Sequence, residues 1–239
     1  MSVQFIPNAG RGHVQSGWLK SAHSFSFGRY VNAARRNFGA LAVVNEDWIA
    51  PGAGFSEHPH QNMEIVTVVL EGVLEHADSM GNTGRIEPGM IQAMSAGTGV
   101  LHSEGNASTT SPLHLLQIWI KPNQINGQPR YKQWRTEIQP NDWSILASST
   151  SFPEQMNLYQ EAEIALGDFT ADTKLEIPAT PPERGCFLLL LSGSVRNEAQ
   201  QLEAGDSLEI TNESAFTLHA KADTKILRIH VPILEKLER

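Results

Sequence analysis

His58 and His60 stand two residues apart in Glu57-His58-Pro59-His60, and His102 and Glu104 repeat that spacing in Leu101-His102-Ser103-Glu104. Side chains along an extended strand alternate between faces, so each pair projects to one side of its strand. Two such pairs on facing or neighbouring strands bring together three imidazole nitrogens and one carboxylate oxygen. That donor set suits Fe, Mn, Ni, Cu or Zn better than the hard, all-oxygen sites of Ca or Mg. Four protein donors leave about two positions open on a six-coordinate metal, room for a bidentate substrate or for substrate plus dioxygen. Glu64 shares parity with the first histidine pair. In an unbroken strand it would face the same cavity, as an alternative ligand or as a group that orients an imidazole; the remaining reading is a partner for a nearby strand.

The elements that must position these groups are strands. Glycine and proline interrupt the chain at short intervals, and the runs between them are rich in Val, Ile and Leu, the rhythm of an all-β protein. Strands are expected at Leu41–Asn45, Met63–Leu70, Val73–Asp78, Met90–Met94 and His114–Ile120, with a hairpin turn at Met80-Gly81-Asn82-Thr83. Pro59 cannot donate a ladder hydrogen bond, so its segment belongs at a strand start or a sheet edge. Asn123–Arg130 reads as a loop and Ile233–Arg239 as a last helical turn or a tail. Two short motifs recur: Leu70-Glu71-Gly72-Val73 is echoed by Leu191-Ser192-Gly193-Ser194, and Ile86-Glu87-Pro88-Gly89 by Leu202-Glu203-Ala204-Gly205. The repeat implies two similar β domains, 1–139 and 140–239, joined near Pro140 to Pro153.

Bulk properties narrow the function. With 239 residues, 40% of them hydrophobic and 18% charged, the chain can bury a sizeable core. A formal charge of −8 argues against direct nucleic-acid binding, which needs a basic face. No secretory leader or membrane span is evident, and Cys186 is the only cysteine, so a soluble protein of the reducing cytoplasm is expected.

At this point the residues resemble a known family. Gly52-x5-His58-x-His60-x3-Glu64, followed by Gly72, is similar to the first cupin motif, although its last spacer is one residue longer than usual. Gly99-x2-His102-x3-Asn106 is similar to the second, with Gly97 where proline is usual. More specifically, Arg11-Gly12-His13, Ser21-Ala22-His23-Ser24-Phe25-Ser26-Phe27, His58-Pro59-His60, Leu70-Glu71-Gly72 and Ser95-Ala96-Gly97-Thr98-Gly99 resemble the pirins, densely from about residue 10 to 135 and thinly afterwards. The resemblance implies a bicupin of two double-stranded β-helix (jelly-roll) barrels. It places the metal on His58, His60, His102 and Glu104, in preference to Glu64. Iron is the first expectation, with manganese, nickel, copper or zinc as alternatives.

It also implies a dioxygenase acting on a small aromatic chelator such as the flavonol quercetin. The substrate would bind through its 3-hydroxyl and 4-carbonyl, and ring opening by O2 would release CO, with Glu104 taking the hydroxyl proton. The alternative is a non-catalytic, metal-binding regulator of transcription that works through protein partners. A monomer is expected.

Counting back from Gly193 as the first histidine pair precedes Gly72 leads to Thr180 and neighbouring prolines, with no histidine, so the second domain is expected to lack a metal. His219 stands near the place of His102 without partners. His76, His114 and His230 read as structural, and His13 and His23 as packing the N-terminal segment. Trp18, Trp48, Trp119, Trp134 and Trp143 read as core rather than as a stacking surface. Val66, Val68 and Leu70 share the parity of the histidine pair and would wall the site for a flat aromatic ligand.

Overall fold

The computed structural model describes residues 2–150, 154–197 and 200–233. The segment 234–239, read above as a helical turn or tail, and part of the expected junction, 151–153, lie outside these. The described chain is built from β-strands, with a single 3-10 turn at Asn8–Gly10. The five expected strands appear at Leu41–Ile49, Glu64–Glu71, Leu74–Asp78, Met90–Ser95 and Leu113–Ile120. The expected hairpin joins Leu74–Asp78 to Thr83–Ile86. Its turn is held by Asp78, whose Oδ1 accepts the Met80 and Asn82 amides, and Gly81 supplies the left-handed residue at φ 89°.

Four sheets make two jelly rolls. The first pairs a seven-stranded sheet with a four-stranded sheet ordered Gly54–His60, Val100–Asn106, Leu74–Asp78, Thr83–Ile86. The second pairs a six-stranded sheet with a four-stranded one ordered Lys174–Ile177, Phe216–Ala220, Ser194–Arg196, Gln201–Glu203. The small sheets have the same order of strands, and the repeated glycines sit at matching turns. Gly72 and Gly193 have φ of 83° and 78°, and Gly89 and Gly205 of 81° and 90°. A Cβ at Gly72 would lie 2.6 Å from the Pro112 carbonyl oxygen, and one at Gly193 2.2 Å from that of Asp223. Both glycines therefore serve a close backbone approach as well as a left-handed turn. The sheets of each roll face one another rather than closing into one hydrogen-bonded ring.

One strand crosses between the halves. Ser2–Ile6 pairs antiparallel with Ser207–Glu213 at the edge of the six-stranded sheet, while Gly12–Ser16 closes the edge of the seven-stranded one.

The largest apolar cluster lies between the two large sheets, on their outer faces. Leu41, Val44, Val66, Val68, Leu116 and Ile118 of the first half pack there with Leu146, Ile164, Phe187, Leu189, Leu227 and Ile229 of the second. Val66, Val68 and Leu70 therefore turn toward the second half, not toward the histidines. The interiors of the two rolls differ. The second is filled by one continuous cluster that includes Leu175, Ile177, Cys186, Leu188, Leu190 and Leu218. Its counterpart of the histidine-bearing strand is Lys174–Ile177, several residues before Thr180, because the long strand that follows, Thr180–Ser192, carries extra residues between the pairings of Thr180 and Gly185. The interior of the first roll is divided: Ile49, Val69, Leu74, Ile86, Leu113 and Leu115 fill one end. Ile65, Met94, Ala96 and Val100 fill the other, and a polar layer separates them.

Candidate metal centre

The polar layer is a row of cross-strand neighbours. Gln133 pairs with Gln92, Gln92 with Thr67, Thr67 with Gln117, Gln117 with Asn45 and Asn45 with His23. Directly paired residues share a face, so one stripe of polar side chains crosses the large sheet and looks at the small one. Thr67, Gln92 and Gln117 lie in strands that are otherwise mostly apolar.

His58, His60 and His102 project from the facing small sheet. His58 and His102 are cross-strand partners. The three rings gather with centroids 4.5–4.8 Å apart. The Nδ1 of His58 is 2.8 Å from the Ser56 carbonyl oxygen; donation there leaves Nε2 unprotonated and aimed at His102 Nε2, 3.1 Å away. Two nitrogens about 2.0–2.1 Å from one metal ion, at roughly 90–109° to each other, lie about 2.8–3.4 Å apart. The buried Nε2 of His60 has no partner in the protein, which is costly unless something else satisfies it. Burial first, then the neighbouring imidazoles, lowers His60 to a pKa of about 4 and His102 to about 3. Both are neutral near pH 7, the form that donates to a metal. The three histidines thus fit a divalent ion.

Glu104 is placed differently from the three histidines. It meets His102 and His76 within 4.8 Å, while the other three-membered cluster is His58, His60 and His102. A β-bulge between the His102 and Glu104 pairings brings Glu104 opposite Phe55 rather than Ser56, a local re-aiming common next to active sites. Its carboxylate is buried and held by three side chains. Oε1 accepts from Gln92 Nε2 at 2.7 Å and from Thr67 Oγ1 at 3.3 Å. Oε2 accepts from Gln117 Nε2 at 2.5 Å. The polar row is therefore the mount of this carboxylate. His76 is fully buried, 3.2 Å from Asp78 Oδ2 and stacked on Tyr131 at 4.5 Å, which backs His102 from behind.

Glu64 does not face this cavity. Asn62, at φ 50°, turns the chain between the small and the large sheet, so strand parity is not carried from His60 to Glu64. The Glu64 Oε2 accepts from Ser95 Oγ at 2.8 Å and from the Tyr159 amide at 3.0 Å, tying this turn to the segment that leads into the second half.

The histidines open onto a cavity of about 390 Å³, within the range of roughly 300–1,000 Å³ for small-ligand sites. Its walls are aromatic: Trp18, Phe27, Phe55 and Trp119. Trp119 meets His60 edge-on at 4.7 Å and Phe27 at 5.3 Å; Trp18 meets Phe55 at 5.1 Å. Trp18 and Trp119 thus line the site, against the expectation that the tryptophans are core. The N-terminal segment is anchored behind it: Arg11 donates to Glu46 at 3.0 Å and to the Ala22 carbonyl at 2.8 Å. A Cβ at Gly12 would lie 2.2 Å from the Tyr30 ring. Asp47 also lines the cavity and accepts the Ser21 hydroxyl; burial pushes its pKa up to about 6. His114 has a structural place, stacked on Trp48 and bonded to Glu46.

Residues 7–120 match the family described as Pirin, and residues 145–231 match that described as Quercetinase C-terminal cupin domain. The quercetin 2,3-dioxygenase of Escherichia coli K12 is 39% identical over 222 residues, covering 93% of this chain and 95% of that protein. The chain belongs to the pirin family. The crystal structure of the bacterial pirin YhhW from Escherichia coli in complex with nickel(II) superposes with a TM-score of 0.90 at 36% identity, covering 98% of this pirin and all of that chain. A quercetin 2,3-dioxygenase structure from Acinetobacter baumannii shares the fold, with a TM-score of 0.78 at 21% identity over 98% of this chain and 80% of its own. This pirin is a bicupin, its donor set is compatible with a single divalent metal, and no described helix is long and apolar enough to cross a membrane.

Proposed function

We propose that this pirin is a metal-dependent dioxygenase that opens flavonols such as quercetin with O2 and releases CO. The observation that carries the reading is the convergence of His58, His60 and His102 at one side of an aromatic-walled cavity. The names of the relatives support it. We take His58, His60 and His102 as metal ligands and Glu104 as the fourth, with iron as the first candidate metal and nickel, manganese, copper or zinc as alternatives. A bound divalent ion supplies Lewis acidity toward the adjacent hydroxyl and carbonyl oxygens of a flavonol and lowers the pKa of the hydroxyl. Glu104 accepts the hydroxyl proton, and its mount on Gln92, Thr67 and Gln117 keeps the carboxylate oriented while it does so. Trp119 and Phe27 on one side, and Trp18 and Phe55 on the other, hold the flat ring system and exclude water. The working unit is a cytoplasmic monomer whose partners are the aromatic chelator and O2.

The test is to load purified protein with each of the five metals and follow flavonol absorbance and CO in air. Turnover that disappears in His58→Ala and in Glu104→Gln supports the assignment. Absence of turnover with every metal, in protein that binds metal through His58, overturns it and leaves a non-catalytic role.

A further inference from the structure

The polar row extends beyond the residues that hold Glu104. Gln117 donates its amide to the carboxylate, which leaves Oε1 as an acceptor, and that buried oxygen has no partner in the protein. Its cross-strand neighbour Asn45 is 2% exposed, and its Oδ1 is likewise buried without a partner. Both residues line the aromatic-walled cavity, and so does Asp47, two residues further along the same strand. The cavity therefore spans three levels of the large sheet. Trp119 stands beside the histidines, Gln117 and Asn45 form the middle level, and Asp47, paired with Leu115, lies toward Trp18. One level is about 6.8 Å along a strand and neighbouring strands are about 4.8 Å apart, so Gln117 to Asp47 is roughly 8 Å.

Buried acceptors without partners are rare in folded proteins and mark places where another molecule supplies the donor. A ligand that reaches this floor gains by presenting hydroxyl groups and loses by presenting hydrocarbon, because the latter leaves the acceptors unmatched. We infer that Asn45, Gln117 and Asp47 form an acceptor floor that selects aromatic substrates carrying hydroxyl groups on the ring directed away from the metal. The inference rests on the flavonol reading of the same cavity and adds which part of the substrate is read, and by which side chains.

Quercetin and galangin separate the contributions, since they share the chelating oxygens and differ only in two hydroxyls on one ring. Each is titrated without oxygen into nickel-loaded protein, with binding read from the shift in flavonol absorbance. Wild type is expected to bind quercetin at least about tenfold more tightly than galangin. Asn45→Leu and Asp47→Leu bring the two affinities to within about threefold. Asn45→Leu replaces an unpartnered amide with an apolar group of similar size, so it carries the test alone should Asp47→Leu fail to fold. Equal affinities in wild type, or a preference unchanged in Asn45→Leu, overturn the inference. Selective binding without consumption of quercetin in air overturns the dioxygenase reading and sustains the acceptor floor. Turnover of both flavonols at equal kcat/KM does the reverse.

Discussion

Gly54 lies close against the backbone of the strand that carries His102 and Glu104, and Gly54→Ala tests how tightly the site depends on that approach. The added Cβ would lie 2.4 Å from the Glu104 carbonyl oxygen and 2.5 Å from the Gly105 Cα, about 1 Å short of the roughly 3.5 Å of normal contact. Both obstacles are backbone, so no rotamer change relieves them and the strands must part by about that amount. Overpacking of this kind costs about 1–3 kcal/mol, which for a chain of this size lowers Tm by about 2–12 °C. Metal–ligand distances tolerate only about 0.2 Å, so His58 on one strand and His102 on the other would no longer fit one ion, and affinity falls about 10–100-fold. Gly105 is the register partner of Gly54, yet a Cβ there meets only the Ala53 carbonyl oxygen at 3.7 Å. Gly105→Ala is therefore the matched control and is expected to be near neutral. The assay is a thermal melt of metal-free protein together with a chelator-competition titration of nickel. If Gly54→Ala and Gly105→Ala behave alike in both measurements, the close approach does not control the site.

Four further outcomes follow from the structure. His60→Ala, which removes one of the three converging nitrogens, should reduce metal binding below detection by elemental analysis after gel filtration, while circular dichroism keeps its β signature. Gln92→Leu leaves the buried Glu104 carboxylate with fewer donors and should cost about 1.5–3 kcal/mol in urea unfolding of metal-free protein; an unchanged midpoint would count against the polar mount. Burial holds His23, His60, His102 and His230 at pKa values of about 4, 4, 3 and 4. The unfolded chain therefore takes up their protons first, and the stability they contribute is full above pH 6.5 and lost as pH falls toward 4. Asp47, raised to about 6, acts in the opposite sense between about 3.8 and 6, and Glu64 and Glu209, also raised by burial, act with it. The four histidines, however, titrate in the unfolded chain across this window, so the urea midpoint of metal-free protein should fall between pH 7.5 and pH 5. Phe187→Ala, at the centre of the cluster shared by both halves, should cost about 3–5 kcal/mol and lower a single calorimetric transition; two separate transitions would contradict a common core.

Much of the site was legible because it obeys strand parity. His58 with His60 and His102 with Glu104 lie on strands that the Gly, Pro and β-branched pattern marks plainly, and the three histidines meet as the spacing predicts. Parity failed where the backbone departs from a regular strand. The left-handed Asn62 carried Glu64 to another face, and the bulge beside His102 shifted the partner of Glu104. The apolar wall was misplaced for the same reason: Val66 and Val68 follow that turn and cover the second half instead. Thr67, Gln92, Gln117 and Asn45 were overlooked, although the first three left a signal, a polar residue within an otherwise mostly apolar run. Their alignment into a row depends on the register of neighbouring strands, which a single sequence does not disclose. The aromatic wall was invisible for a similar reason, since Trp18, Phe27, Phe55 and Trp119 come from separate segments that only the fold assembles.

The crossing strand Ser2–Ile6 sets an order on synthesis. Its partner Ser207–Glu213 is made about 200 residues later, and at about 5–20 residues per second the wait is roughly 10–40 s. The histidine-bearing roll has all of its own strands during that interval, while the N-terminal strand stays unpaired. When Ser207–Glu213 finally appears, it offers an open edge, and Ser2–Ile6 of the same chain is the segment shaped to cover it. Any truncation or N-terminal fusion that delays this closure exposes a sheet edge to neighbouring chains. The failure it invites is aggregation during production, with the histidine cluster itself intact.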